Sequence, residues 1–206
     1  MKLHRLIAPK GGPTKLFVGG LHGTESVYTA PILEILATEE IGTGEVIIVP
    51  CLVENSKYIA VLSEEYYRSN EGTELLRLIQ DYKPDFYFEL HAYGEQSYSR
   101  LTDPEREIKI GVPPFVDLVD GILLGSIAPI LRREFREHDF CVTIEVPNWK
   151  CEKAEIKEEL LLILRIGFAV ATKREALEKL RTRYPAQMDK AELLFQQYYR
   201  NRLKPF

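Results

Sequence analysis

The sequence predicts an α/β fold: a mixed, mostly parallel central sheet flanked by helices and followed by a helical C-terminal extension. Short β-branched and aromatic runs alternate with segments of helical periodicity, the order expected of strand–helix units. The run at 45–49 is continuously apolar rather than alternating, which marks a strand buried on both faces. A chain of 206 residues is also long enough to bury a real core. The expectation is one domain over 1–206, with 153–206 as the extension.

The first strand is expected at 15–19, closed by Gly19-Gly20. A helix follows over 26–39, where Val27, Ala30, Leu33 and Ala37 share a face and Pro31 falls in the first turns. The second strand is 45–49. A short helix over 73–82 takes Thr73 as its cap. Residues 85–90 form a third strand and 140–146 a fourth. Between them, 114–137 has a helical pattern, weakened as one unbroken rod by Gly121 and Gly125. A long helix is expected over 153–184, bent near Gly167 and ended by Pro185, with a last helix over 186–203.

Composition narrows the function classes. Hydrophobic residues at 45% and charged residues at 28% are ordinary globular values. A net charge of −4 argues against general binding to nucleic acid or anionic membrane. Cys51, Cys141 and Cys151 fit no complete disulfide framework and no C-x-x-C pair, so they read as reduced thiols. The first residues lack the apolar stretch of a signal peptide. The apolar segment 160–171 is shorter than the roughly 20 residues that span a bilayer, and Arg165 interrupts it. A cytoplasmic protein is expected. No G-x-G-x-x-G follows a strand and no G-x-x-x-x-G-K-[ST] occurs, so a nucleotide site lacks support.

Chemistry concentrates at strand ends. His22 and Glu25 follow the first strand, three residues apart, and face the same way on one turn. An imidazole and a carboxylate so placed make two thirds of an open zinc site. His91 ends the third strand and Glu145 stands in the fourth. Ligands of parallel sheets bind beyond the carboxyl ends of strands, where these four side chains would meet. Each has a plainer reading. The histidines could be satisfied loop or core residues, and Glu25 a carboxylate favoured by a helix N-terminus. Glu145 lies among Val142, Ile144 and Val146, where an unpaired charge is costly and asks for a cation, a metal or a catalytic task. Glu89 shares the strand face of His91 and would support it from behind, or else pair with a lysine.

The order Gly20-Leu21-His22-Gly23-Thr24-Glu25, Glu89-Leu90-His91 and Ile144-Glu145 resembles the zinc carboxypeptidase superfamily, most nearly its succinylglutamate desuccinylase and aspartoacylase group. The resemblance spans roughly 15–147. It implies that His22, Glu25 and His91 bind Zn2+, and that Glu145 is the general base that takes a proton from the attacking water. In Glu65-Tyr66-Tyr67-Arg68, Arg68 takes the place of the group's substrate-binding arginine, while Tyr67 replaces its asparagine. Thr24 stands where the group often has asparagine, and the C-terminal barrel-like domain of larger relatives is absent.

The expected function is a zinc-dependent hydrolase that cleaves an amide or ester bond of a small carboxylated substrate by metal-activated water, with Arg68 gripping the carboxylate. The alternative is a metal-binding or partner-binding protein of the same fold without turnover. The band Leu193, Leu194, Phe195, Tyr198 and Tyr199 either covers the sheet or forms a homodimer contact. In the second case its basic flank would rest on the acidic stretch 152–159 of a second copy.

Overall fold

The structure, a computed structural model, describes residues 1–54 and 56–199. In chain order its elements are β1 (His4–Ile7), β2 (Thr14–Gly19), α1 (Ser26–Leu36), β3 (Glu45–Val49), α2 (Glu64–Arg68), α3 (Asn70–Tyr82), β4 (Phe86–Tyr93), α4 (Tyr98–Leu101), α5 (Arg106–Ile110), β5 (Val116–Val119), β6 (Ile122–Gly125), α6 (Pro129–Arg132), β7 (Phe140–Pro147), α7 (Ala154–Ala169), α8 (Lys173–Arg183) and α9 (Pro185–Tyr199). The strands form a seven-stranded sheet of order β1-β3-β2-β4-β7-β6-β5. Its centre, β3-β2-β4-β7, is parallel. The outer pairings β1-β3, β7-β6 and β6-β5 are antiparallel. The chain leaves β2 for β3 on one side and returns to β4 on the other, so a topological switch point lies at the carboxyl end of β2.

Both faces of the sheet are covered. On one, Phe17, Phe88, Leu90 and Ile144 pack with Leu33 of α1 and Leu160, Leu164 and Phe168 of α7. On the other, Leu16, Val18, Ile47 and Tyr87 pack with Leu75, Leu78 and Ile79 of α3. This double burial explains why β3 reads as a continuous apolar run and why the other central strands are largely apolar. Helix α7 is therefore a core element, and Lys15 of β2 is fixed beneath it by donating to the carbonyl of Phe168 in its last turn.

Three expectations are corrected. Residues 114–137 are not one helix: β5 and β6 form a hairpin turned at Asp120-Gly121, both with positive φ (53° and 92°), followed by the short α6. An Asp-Gly pair between apolar runs is the chemistry of a tight hairpin turn, and it overrides the helical spacing. The long helix does not bend at Gly167, where a Cβ would come within 2.2 Å of the Phe88 ring. It ends after Ala169, and α8 starts with a capping box in which Thr172 and Glu175 satisfy each other's backbone N–H groups. Helix α3 starts ahead of Thr73, because Ser69 accepts from the N–H of Gly72 and serves as the cap.

The final helix begins at Pro185, and its expected end at Leu203 lies outside the described residues. Tyr198 and Tyr199 are buried against Val112. Arg183 pairs with Glu159 of its own chain. Among the described residues no helix is long and apolar enough to cross a membrane.

Candidate metal centre

The segment after β2 is shaped to aim His22. Gly20 has φ 59°, and a Cβ there would meet the Ser26 side chain and Cys51, so only glycine allows the fold-back. Tyr66 then donates its hydroxyl to the carbonyl of Leu21 at 3.1 Å, and the N–H of Gly23 donates to Ser56 Oγ at 3.0 Å. Tyr58 lies edge-on against the His22 ring, 4.6 Å between centroids. Held in this way, His22 is only 5% exposed.

Glu25 occupies the N-cap of α1 but makes no side-chain capping bond. Its carboxylate turns inward, with Oε2 3.2 Å from His91 Nδ1 and 3.7 Å from His22 Nδ1. One ligand-competent atom from each of His22, Glu25 and His91 lies within 4.8 Å of the others. Two nitrogens and one oxygen from buried or half-buried side chains are the ligand types of an open zinc site.

Behind His91 stands Glu89, which is 1% exposed. It accepts from Tyr87 OH at 3.0 Å and from Thr143 Oγ1 at 2.6 Å, and its Oε1 is 3.7 Å from His91 Nε2. A carboxylate facing the far ring nitrogen of a ligating histidine fixes the ring and raises its basicity. Among the described residues, buried His22 Nδ1 and His91 Nε2 have no hydrogen-bond partner, an arrangement costly for isolated imidazoles. The donor set therefore fits a divalent cation: His22 Nδ1, Glu25 and His91 Nδ1 would hold it, and Glu89 would back His91.

Charge and burial set the protonation of the group. Burial, with repulsion from His91, takes His22 down to about 4. Burial also opposes charge on His91, but Glu25 and Glu89 overcome it and hold the imidazole well above its usual range. Glu145 lies opposite His91 in the β4–β7 register. It is half-buried, and its exposed part faces a cavity of about 700 Å³ that also touches His22, Glu25 and His91. Burial pushes its carboxyl up to about 7, opposed by His91 and Arg106 and reinforced by Glu25.

His22, Glu25, His91, Glu145 and Glu89 are thus brought together. Arg68 is not. Its side chain is 78% exposed, is paired with Glu64 and stays off the cavity wall, because α2 turns its basic end to solvent. The arginines on that wall are Arg100 and Arg106, which sequence reasoning missed. Glu105-Arg106-Glu107 reads as a solvated helix face, and the only local hint is the apolar 112–116 run that buries it.

Residues 10–200 match the model of the family described as "Uncharacterized protein conserved in archaea (DUF2119)", and the chain belongs to that family. Protein MJ0501 of Methanocaldococcus jannaschii is 45% identical over 202 residues, covering 96% of this chain and 98% of its own. Among solved structures, an aspartoacylase family protein (mlr6093) from Mesorhizobium loti is 17% identical, with a TM-score of 0.42 over 78% of this chain and 60% of that one. Tripeptide-bound cell shape determinant Csd4 from Helicobacter pylori is 19% identical, with a TM-score of 0.34 over 46% of this chain. The chain spans 28% of the length of Csd4.

Proposed function

We propose that the protein is a zinc-dependent hydrolase of the zinc carboxypeptidase type that cleaves an amide or ester bond of a small carboxylated substrate, in the cytoplasm. The observation that carries this reading is the convergence of His22, Glu25 and His91 from two strand ends, with Glu145 in register opposite His91 on the same cavity. A zinc ion at such a site supplies a Lewis acid and lowers the pKa of water towards about 7. Glu145 has the position and basicity to take a proton from water and return it to the leaving group. Glu89, braced by Tyr87 and Thr143, keeps His91 in place.

A second reading, metal binding without turnover, is favoured by Tyr67 at the place of the related group's asparagine and by the outward Arg68. A panel of N-acyl amino acids, short peptides and esters, offered to zinc-loaded protein, separates the two. Hydrolysis is expected, and Glu145→Gln should keep the zinc while lowering turnover by a factor on the order of 10² or more. Turnover unchanged in Glu145→Gln removes Glu145 from the chemistry. Silence across the panel transfers the reading to the binding protein.

A further inference from the structure

Among the described residues, one side chain of the C-terminal helix reaches the cavity. Tyr198 of α9 lines it and donates its hydroxyl to the carbonyl of Gly111 at 2.9 Å. Gly111, with φ 87°, ends α5, and the next residue, Val112, packs on Tyr198 and Tyr199. One residue further, the carbonyl of Pro113 accepts from Arg106 Nη1 at 2.5 Å. The Phe115 ring lies 4.9 Å from the guanidinium carbon. Residues 111–115 are therefore a brace, fastened at one end by Tyr198 and holding Arg106 at the other.

Arg106 is an unusual occupant of that wall. It is 8% exposed, its charge-bearing group bonds a carbonyl, and its buried Nε has no hydrogen-bond partner among the described residues. A buried guanidinium edge with an unspent donor is costly unless a ligand uses it. Besides Arg106 and the exposed Arg100, the carboxylates and imidazoles on the cavity wall are Glu25, Glu89, Glu145, His22 and His91. Glu25, Glu89 and Glu145 repel an anion along this wall, whereas Arg106 attracts one away from the metal centre, and a carboxylate matches the guanidinium edge in shape as well as charge.

We propose that Arg106 receives the anionic group of the ligand, and that Tyr198 positions Arg106 through residues 111–113. The first part deepens the hydrolase reading and rests on it for the word substrate; the second concerns binding alone. The C-terminal helix is then part of the specificity apparatus rather than only a cover for the sheet.

Butyrate and butyramide, equal in size and different in charge, serve as probes in calorimetric titrations of zinc-free protein, where no metal competes for the carboxylate. The wild type should bind butyrate more tightly than butyramide by roughly tenfold, as a charge-assisted hydrogen bond provides. Arg106→Gln should abolish that preference and Arg106→Lys should restore part of it. Tyr198→Phe keeps the ring packing and loses the bond to Gly111, so the preference should fall several-fold. The ratio is the readout, because a general loss of stability weakens both probes alike. A preference retained in Arg106→Gln, or absent from the wild type, overturns the anion site. An unchanged ratio in Tyr198→Phe overturns the positioning role. Zinc uptake by the same variants, measured after the metal is supplied, reports separately on the metal centre.

Discussion

His91 of β4 and Glu145 of β7 stand directly opposite each other in a parallel pairing, and two residues earlier Glu89 stands opposite Thr143. Side chains at such positions share a face of the sheet. The pairing thus stacks two layers: His91 with Glu145 at the cavity, and Glu89 with Thr143 beneath. The lower layer is fully buried and tied by the Thr143–Glu89 hydrogen bond.

Glu89→Gln should consequently weaken zinc binding without removing a ligand. The carboxylate facing His91 Nε2 is lost, and effects of this kind run to about 10–100-fold in metal affinity. Competition against a chelator measures it. Thr143→Val should have a smaller effect in the same direction. Affinity equal to wild type in Glu89→Gln would show that the buried carboxylate does not support His91.

Lys15 yields a pH prediction. Burial takes its ammonium down to about 8, with Glu175 pulling the other way. The unfolded value is the higher one, about 10.4. Below pH 8 both states carry the proton and this group adds no slope. Between about pH 8 and 10.4 the unfolded chain holds more protons, so rising pH favours the folded state, by roughly 3 kcal/mol across the window. Stability measured by urea unfolding should therefore rise in wild type relative to Lys15→Met over that window. Parallel curves for the two proteins would mean that Lys15 is not depressed.

The β5–β6 turn gives a third test. Gly121 has φ 92°, and a Cβ there would lie 3.1 Å from the Tyr93 hydroxyl, which itself donates to the Gly121 carbonyl at 2.6 Å. Gly121→Ala combines positive-φ strain with that crowding and should cost about 1–2 kcal/mol of stability. A urea midpoint equal to that of wild type would contradict the turn geometry.

What the sequence makes legible follows from local signals. Strands β2, β3, β4 and β7 are legible as largely apolar runs because helices cover both faces, and the candidate metal ligands His22 and Glu25 sit in one turn. Strand β1 is hidden, since His4-Arg5-Leu6-Ile7 is an edge strand with an alternating, half-exposed pattern. The β5–β6 hairpin is hidden by apolar spacing that also fits a helix until Asp120-Gly121 is given its turn role. Arg68 and Arg106 illustrate the limit best. Each is an arginine next to acidic residues, and only the chain around them decides their fates. Glu64 holds Arg68 at the surface, whereas Pro113, Phe115 and, from the far end of the chain, Tyr198 draw Arg106 to the cavity.

Zinc per chain, determined by elemental analysis, tests whether His22, Glu25 and His91 form one metal site. Wild-type protein should carry about one equivalent, as expected of a three-ligand open site. His22→Ala and His91→Ala should each lose it while keeping the wild-type circular dichroism spectrum. Full zinc retained by both folded variants, or a well-folded wild type that binds no zinc when it is supplied, would contradict the site.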